Sequence, residues 1–340
     1  MKNKKLWLAG IAIVIILLLF LRPFPGMSLD PFAIVAKVTV VDEDGKPVDG
    51  AETDLLTYKP IKNMALSREV RQCLSDTKGK AILTGHWGDF SMGVLISASK
   101  PGYYASGMEV HPLNGSTYWR PEVKLVLRKR KNPVPMYVKD ESIDKPIGSL
   151  IFRDSIGYDL MKGDLVKPHG KGEVADFIFH VQRQEIDAKN FSAEATLTFS
   201  NPDDGIMFYP LPKDMQSVFI FPQEAPLDGY KNQFFVGRHV SKGEFTSQFM
   251  KTANGELKSY YLTDENLHYI FRVRTVRDKD GKIISACYGK IRQQMLFITG
   301  VQRERVDFLY YFNPDPTSRS LEFAPGKNLF KEGGYDGDSP

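Results

Sequence analysis

Short stretches in which apolar and polar residues alternate recur along this chain and predict β-strands. In residues 193–200 every odd-numbered position is apolar and every even-numbered position is polar, which is typical of a strand with one face in a core and the other in water. Residues 177–182 and 269–273 also have a large apolar side chain at every odd position, and a segment rich in Asp and Gly, 278–282, follows the second of them as a hairpin turn. No stretch of a dozen residues shows sustained helical periodicity. The pattern therefore predicts an all-β fold.

The N-terminal segment is the exception to this alternation. Leu6–Leu21 is uncharged and apolar on every face, and it follows Lys2, Lys4 and Lys5. Its 16 residues leave two interpretations open, a cleaved signal peptide or an uncleaved transmembrane helix. Arg22 and the prolines after it stand where a cleavage site needs small residues, which favours an anchor. Because the lysines precede the helix, we expect a single-pass protein of the bacterial inner membrane with its body in the periplasm.

Changes in composition divide the chain into four parts. We expect the Lys cluster and membrane anchor in residues 1–26, a small β-sandwich in 34–131, a larger antiparallel β-sandwich in 133–323, and a disordered tail in 324–340. Residues 129–135 are charged and then contain two prolines, so they are the expected linker between the sandwiches.

Three segments of the smaller region carry a family resemblance. Residues 38–51 read VTVVDEDGKPVDGA, residues 76–81 read DTKGKA, and residues 99–104 read SKPGYY. In this order and spacing they resemble the turns of the carboxypeptidase regulatory-like (transthyretin-like) domain. The resemblance implies a compact β-sandwich that is accessory to another domain and has no catalytic residues. Polar residues at 52–54 and a long insert at 58–71 depart from the family pattern and leave the register of the second strand open.

The larger region, residues 133–323, resembles uncharacterised bacterial envelope proteins in its general character. Lys and Arg are scattered among Asp and Glu, and the net charge is only +4, so no basic stripe predicts a nucleic-acid partner. The two cysteines, Cys73 and Cys287, exclude a disulfide framework and a Cys-based zinc cluster. The two residues either form one disulfide bond with each other or are two separate, small apolar side chains.

Motifs for catalysis are absent from the sequence. None of the six histidines is followed by Glu at the third position, as the zinc site of a carboxypeptidase requires, and there is no Gly-x-Ser-x-Gly elbow. Asp42-x-Asp44-Gly45 and Asp278-x-Asp280-Gly281 have glycine too early for a calcium loop and are better hairpin turns. We predict no catalytic, cofactor-binding or metal-binding residue. The adjacent acids Asp203 and Asp204 lie on a predicted loop, where a solvated turn is favoured and glycoside hydrolysis stays open.

Four residues are candidates for contact with a ligand or partner. Trp87, Tyr118 and Trp119 lie in loop-like segments, where their rings either stack on sugars or a partner protein or cover the ends of the sandwich. His169 lies in KPHGKG, residues 167–172, which is either an anion-facing loop with free N–H groups or an ordinary turn.

These features predict a non-catalytic, membrane-anchored envelope protein that acts as a binding or structural module. Its expected partners are the membrane, through Leu6–Leu21, and an envelope glycan or protein. A further possibility is that the protein is a subunit of a larger envelope assembly. The alternative is an extracytoplasmic hydrolase of glycans or peptides whose chemistry lies in residues 133–323.

Overall fold

The computed structural model describes residues 33–60, 66–86, 93–111, 119–146, 153–187, 190–241, 244–251, 257–259, 267–299 and 303–335. The elements of these ranges are β-strands, which confirms the all-β prediction. Within the same ranges, no helix has the length and apolar character that crossing a bilayer requires. Leu6–Leu21, Trp87 and Tyr118 lie outside the described residues.

The chain forms two compact units. The first contains the described residues up to Lys129 together with Gln216–Val218, and the second contains Arg130–Met215 and the described residues from Phe219 onward. Gln216–Val218 come from the long connection between two strands of the second unit, yet they extend the first unit's sheet: the N–H of Gly107 donates to the carbonyl of Gln216, and the N–H of Val218 donates to the carbonyl of Ala105.

Eight strands build the first unit. They are β1 (Ala33–Asp42), β2 (Glu52–Pro60), β3 (Leu66–Leu74), β4 (Lys80–His86), β5 (Val94–Ser99), β6 (Tyr103–Tyr104), β7 (Ser106–Val110) and β8 (Glu122–Lys129). One sheet has the order β4-β1-β8-β6 and the other β3-β2-β5-β7. Alternate residues of β1, β4 and β8 are buried, and they pack with residues of β2 and β5 in a common core. The unit is therefore a β-sandwich.

The polar segment 52–54, whose register was open in the sequence, is the start of β2. This strand pairs with β5 through Glu52↔Ser99 and with β3 through Glu52↔Leu74. Most of the insert 58–71 forms the ends of the β2–β3 hairpin. Thr53 faces the core and donates its hydroxyl to the carbonyl of Cys73, which explains how a polar residue is tolerated there.

Three turns with the same sequence pattern share one geometry. In each, an Asp carboxylate oxygen accepts the backbone N–H groups two and four residues later, and a glycine in the left-handed region follows at the third position. This holds at Asp42 with Gly45, Asp76 with Gly79, and Asp278 with Gly281. The carboxylate oxygen is occupied by backbone donors. The segments at Asp42 and Asp278 are hairpin turns, as the sequence predicts, because the residues on either side of each pair antiparallel. The turn at Asp76 instead connects β3 to β4 in the other sheet.

Thirteen strands build the second unit. They are β9 (Val134–Pro146), β10 (Ile156–Asp159), β11 (Asp164–Leu165), β12 (Phe177–Asp187), β13 (Asn190–Thr198), β14 (Gly205–Pro210), β15 (Gln233–Ser241), β16 (Glu244–Lys251), β17 (Leu257–Ser259), β18 (Leu267–Arg277), β19 (Ile283–Thr299), β20 (Arg303–Asn313) and β21 (Phe323–Asn328). The sheet orders are β11-β10-β12-β13-β15-β16-β17 and β14-β18-β19-β20-β9-β21. Residues of both sheets share one core rich in aromatic rings, so this unit is also a sandwich.

Two bulges interrupt the second sheet. Between Val273 and Val276 of β18 the pairing with β19 shifts, and Arg274 adopts φ 58°. Between Arg292 and Leu296 of β19 the pairing with β20 shifts, and Gln293 adopts φ 67°. A bulge re-aims the side chains next to it. Both bulges border the polar features described below.

The prediction of a disordered tail from residue 324 is wrong for residues 324–335. β21 pairs with β9 in parallel, and the side-chain amide of Asn328 both donates to the carbonyl of Val138 and accepts its N–H. The ring of Phe330 packs edge-on against Tyr137 with centroids 4.9 Å apart. Glycines and charges made the segment look disordered, but long-range hydrogen bonds and ring packing hold it. Residues 336–340 lie outside the described residues.

Candidate functional site

A buried ion-pair cluster lies in the core of the second unit. The Arg274 guanidinium donates two hydrogen bonds of 2.8 Å to the Asp176 carboxylate and one of 3.2 Å to Asp159. The side chains of Asp176 and Asp159 are only 1% and 3% exposed. The positive φ at the β18 bulge aims Arg274 toward these acids. The cluster links Asp159 of β10 and Asp176, which precedes β12, to Arg274 of β18, so that each buried charge has a partner.

The two acids of the cluster have different environments. Burial raises the pKa of Asp176, although the Arg274 guanidinium opposes that change. Burial alone would also raise the pKa of Asp159, but backbone N–H groups of residues 161, 162, 173 and 174 hold it below the usual value. Asp159 therefore stays ionised beside Arg274.

The adjacent acids Asp203 and Asp204 have structural partners. The buried Asp204 carboxylate accepts the N–H groups of Arg274 and Thr275, both at 2.9 Å. Asp203 pairs with Arg277 at 2.8 Å. Asp204 thus satisfies the backbone of the β18 bulge. The pair that the sequence left open for glycoside hydrolysis serves to fix this bulge.

A first polar cleft, of about 250 Å³, lies on the outer side of the β9–β20–β19 sheet. Its polar lining comprises Asp140, Arg292, Gln293, Asp307 and Tyr335. We call it the outer cleft. The bulge in β19 shapes it, because the N–H of Gln293 donates to Nδ1 of the buried His268 at 2.9 Å.

The two carboxylates of the outer cleft differ in their partners. Asp307 accepts the Ser142 hydroxyl at 2.7 Å and pairs with Arg305 at 2.9 Å, so both of its oxygens are engaged. Asp140 is exposed, and partial burial together with the charges of Asp307 and Glu141 raises its pKa.

A second polar cleft, of about 260 Å³, includes Lys139, Glu141, Tyr158, Asp164 and His169 in its lining. We call it the inner cleft. Its central carboxylate, Glu141, accepts the Tyr158 hydroxyl at 2.6 Å and pairs with Lys139 at 2.6 Å. Burial, with the nearby Tyr310 and Glu141, raises the pKa of Tyr158, so its hydroxyl keeps its proton and remains a donor.

The loop that carries His169 is an ordinary turn. The N–H groups of Lys167, His169, Lys171 and Gly172 donate to acceptors of the protein, namely three backbone carbonyls and the Asp164 carboxylate. Because these four N–H groups already donate within the protein, they contradict the interpretation that the KPHGKG loop faces an anion through its backbone. The His169 side chain itself is exposed at the inner cleft.

The aromatic candidates lie in the first unit. Trp119 is 7% exposed and packs in the core of the sandwich with Ile34 and Val123, so its ring covers the core and offers no open face for a ligand. Its backbone carbonyl accepts the N–H of Val35 at 3.0 Å. Trp87 and Tyr118 are outside the described residues, and their role stays a prediction.

The two cysteines are free thiols. Cys73 is partly buried at the end of β3, and Cys287 is 5% exposed in β19. Burial raises the pKa of Cys287 to about 11. Cys287 is therefore a protonated, small apolar side chain at neutral pH. Within the described ranges, no group of three or more His, Cys, Asp or Glu residues is arranged to hold a metal ion.

Sequence patterns missed a buried lysine cage. Lys290 is 0% exposed, donates to the carbonyl of Leu321 at 2.8 Å, and has its ammonium nitrogen 4.7 to 5.1 Å from the centroids of the Phe219, Phe221 and Tyr311 rings. Cation–π contacts compensate in part for removing the charge from water. The residues are far apart in sequence, so no local pattern reveals them.

Comparisons with known proteins add little to this geometry. No family model and no curated protein matches the sequence. Among solved structures, a 3-chlorocatechol 1,2-dioxygenase from Rhodococcus opacus 1CP is 14% identical with a TM-score of 0.24, over 32% of this chain and 63% of that one, which is less than two thirds of its length.

Two further structures match over a larger share of the chain. The shaft pilin SpaA from Lactobacillus rhamnosus GG is 13% identical with a TM-score of 0.20, over 72% of this chain and 88% of that one. A DUF3823 family protein from Parabacteroides merdae ATCC 43184 is 7% identical with a TM-score of 0.20, over 86% and 98%. TM-scores this low carry no argument, so the interpretation of the site rests on its own residues.

Proposed function

We propose that this chain is a non-catalytic module of the bacterial envelope, tethered to the inner membrane by Leu6–Leu21 with its β-sandwiches in the periplasm. The apolar segment behind three lysines supports the tether and its orientation. The resemblance of residues 38–104 to an accessory domain supports a binding or structural role, with an envelope glycan or protein as the partner.

One observation carries the non-catalytic part of the proposal. Glu141 of the inner cleft accepts the Tyr158 hydroxyl and pairs with Lys139, and Asp307 of the outer cleft accepts the Ser142 hydroxyl and pairs with Arg305. A carboxylate that is already hydrogen-bonded and ion-paired within the protein is held as a structural group, because a substrate would have to displace its partners. These contacts favour a structural or binding role for the second sandwich.

The tether is tested by fractionating cells that express the full chain. We expect the chain to stay in the membrane pellet after an alkaline carbonate wash and to be digested when protease is added to spheroplasts. The matched variant lacks residues 6–21 and should be soluble. Release of a shortened soluble form from the full chain would show a signal peptide, and protection of the body from external protease would place it in the cytoplasm.

A hydrolase remains the second candidate, because one observation favours it. The pKa of Asp140 is raised by partial burial and by the nearby Asp307, which itself pairs with Arg305, and two carboxyl groups in different environments are the arrangement in which one serves as an acid and the other as a base. Incubating the purified chain with cell-wall glycan and peptide fragments tests it. Hydrolysis that disappears in Asp140→Asn and persists in Asp44→Asn, a turn acid of the first unit, would overturn the non-catalytic proposal. No hydrolysis supports it.

A further inference from the structure

The outer edge of β3 is open in the first unit. Among the described strands β3 pairs only with β2, at the end of the order β3-β2-β5-β7. Six of its residues from Ser67 to Leu74 are exposed, including Val70 at 44% and Leu74 at 65%. Such an edge presents unpaired backbone N–H and C=O groups to another strand.

An apolar row leads across the sheet to this edge. Leu56 of β2 lies directly opposite Val70 of β3 on one side and Leu95 of β5 on the other. Val70 and Leu95 are 44% and 41% exposed, and Leu56 is partly buried. Residues opposite each other in adjacent strands share one face. The row ends at Val70 with nothing among the described residues to continue it.

Charges flank Val70 in a symmetric way. Glu69 precedes it and Arg71 follows it, both on the opposite face of β3 from Val70, and they form an ion pair within the strand. Their side chains are 24% and 54% exposed, respectively. Charged side chains on an edge strand usually oppose pairing with another strand. An acid and a base at equal distances from a central apolar residue instead form a self-complementary pattern.

We propose that β3 pairs antiparallel with β3 of a second copy of this chain, with Val70 on the two-fold axis. Two four-stranded sheets then become one continuous sheet. Glu69 of each copy lies opposite Arg71 of the other, and this contact occurs twice because a two-fold interface repeats every contact. The apolar rows of the two copies meet at the two Val70 side chains.

The charge pattern selects this register over its neighbours. A two-fold antiparallel pair must place some residue opposite its own copy. With Glu69 at the axis two carboxylates would face each other, and with Arg71 at the axis two guanidinium groups would, and like charges directly opposite are destabilising. Only the arrangement centred on Val70 gives two unlike pairs.

Charge exchange tests the contact on the full chain in detergent. We expect the wild type to sediment as a concentration-dependent dimer. Glu69→Arg alone and Arg71→Glu alone each put like charges opposite each other twice, and each should weaken the dimer roughly tenfold or more. The double exchange, Glu69→Arg with Arg71→Glu, restores unlike pairs and should restore the dimer.

Mixing the two single variants gives a sharper outcome. One chain then carries two bases and the other two acids, so each pairs with the other and not with itself. We expect mixed dimers from two variants that dimerise poorly alone. Far-UV circular dichroism checks that each variant is folded. A monomeric wild type, or a dimer that neither single exchange weakens, would overturn the proposal.

Cysteine cross-linking tests the register in a background with Cys73→Ser and Cys287→Ala. Val70→Cys should form a disulfide between two copies, because residues at the axis are opposite each other. Gln72→Cys is the matched control: its two copies would lie four residues apart along the strands, about 14 Å, which is too far for a disulfide. Chains with Gln72→Cys should instead cross-link to chains with Arg68→Cys. Cross-linking of Gln72→Cys to itself, with none for Val70→Cys, would refute the register.

Discussion

Replacing Arg274 by methionine is the most informative perturbation of the second unit. The substitution keeps an unbranched side chain of similar length and removes the guanidinium that bonds Asp176 twice and Asp159 once. Asp159 retains its four backbone N–H donors. Asp176 retains the N–H of Leu160 at 3.0 Å. Asp176 therefore becomes the uncompensated buried charge.

The structure sets the expected magnitude. Removing one partner of a buried ion pair costs about 3–5 kcal/mol, because the other charge stays out of water. Arg277→Met is the matched control, since its pair with Asp203 is 2.8 Å long but its side chain is 38% exposed. Exposed pairs contribute about 0–1 kcal/mol. We expect the free energy of unfolding to fall several times more for Arg274→Met than for Arg277→Met.

The pH dependence identifies the cause of this loss. In Arg274→Met the pKa of Asp176 rises further above the unfolded value of 3.8, because burial remains and the opposing guanidinium is gone. The folded state then binds the proton more tightly than the unfolded state. The loss of unfolding free energy in Arg274→Met should therefore shrink as pH falls and grow as pH rises through the folded pKa. Adding Asp176→Asn should remove most of this pH dependence.

Urea unfolding of the full chain in mild detergent, followed by far-UV circular dichroism, measures these differences. All three tryptophans, Trp7, Trp87 and Trp119, precede the second unit in the sequence, so tryptophan fluorescence follows the first unit and should not change. If Arg274→Met lost no more unfolding free energy than Arg277→Met, or if its loss were independent of pH, the argument that Arg274 neutralises buried carboxylates would be refuted.

Two further predictions concern turns of the first unit. Gly79→Ala should destabilise that unit strongly, because a Cβ at this left-handed position would overlap the carbonyl oxygen of Val40. Gly45 has a similar φ but open space around it, so Gly45→Ala should cost only about 1–2 kcal/mol. Urea unfolding followed by tryptophan fluorescence compares the two variants, and equal losses of unfolding free energy would contradict the steric argument. Asp42→Asn should make the free energy of unfolding fall less steeply in acid, because the Lys129 ammonium holds the pKa of Asp42 below 3.8 and the resulting stabilisation is lost as pH falls below 3.8 through the folded value; the same steepness as in the wild type below pH 3.8 would contradict it.

Local patterns predicted the strands and turns well because they depend on neighbouring residues. The alternation at 193–200 lies in β13, and the turn at 278–282 has the expected hydrogen bonds. Contacts between distant segments were not predictable in the same way. The parallel pairing of β1 with β8 and the aiming of Arg274 by a bulge depend on residues 70 or more positions apart. A bulge adds one residue to a strand and shifts the alternation beyond it, but β18 ends only four residues after Val273, which is too short a stretch to show the shift.

The site was harder to predict than the fold, because a residue type does not reveal its partners. Trp119 looked like a loop aromatic and is in the core. The acids Asp203 and Asp204 were expected in a solvated turn, with glycoside hydrolysis left open, yet Asp204 holds a backbone bulge and Asp203 pairs with an arginine. In both cases the alternative with a structural role was already open in the sequence, and only the three-dimensional contacts decide between the two.

One sequence signal did contain more than it first indicated. Residues 308–312 are apolar at every position, and a strand that is apolar on both faces must be covered on both faces. The inner face packs in the main core through Phe308, Tyr310 and Phe312. The outer face carries Leu309 and Tyr311, which pack with residues of β9, with Phe323 of β21 and with Tyr335 of the tail. The all-apolar strand therefore required a cover, and the glycine-rich tail, whose composition alone suggested disorder, is the segment of the chain that supplies it.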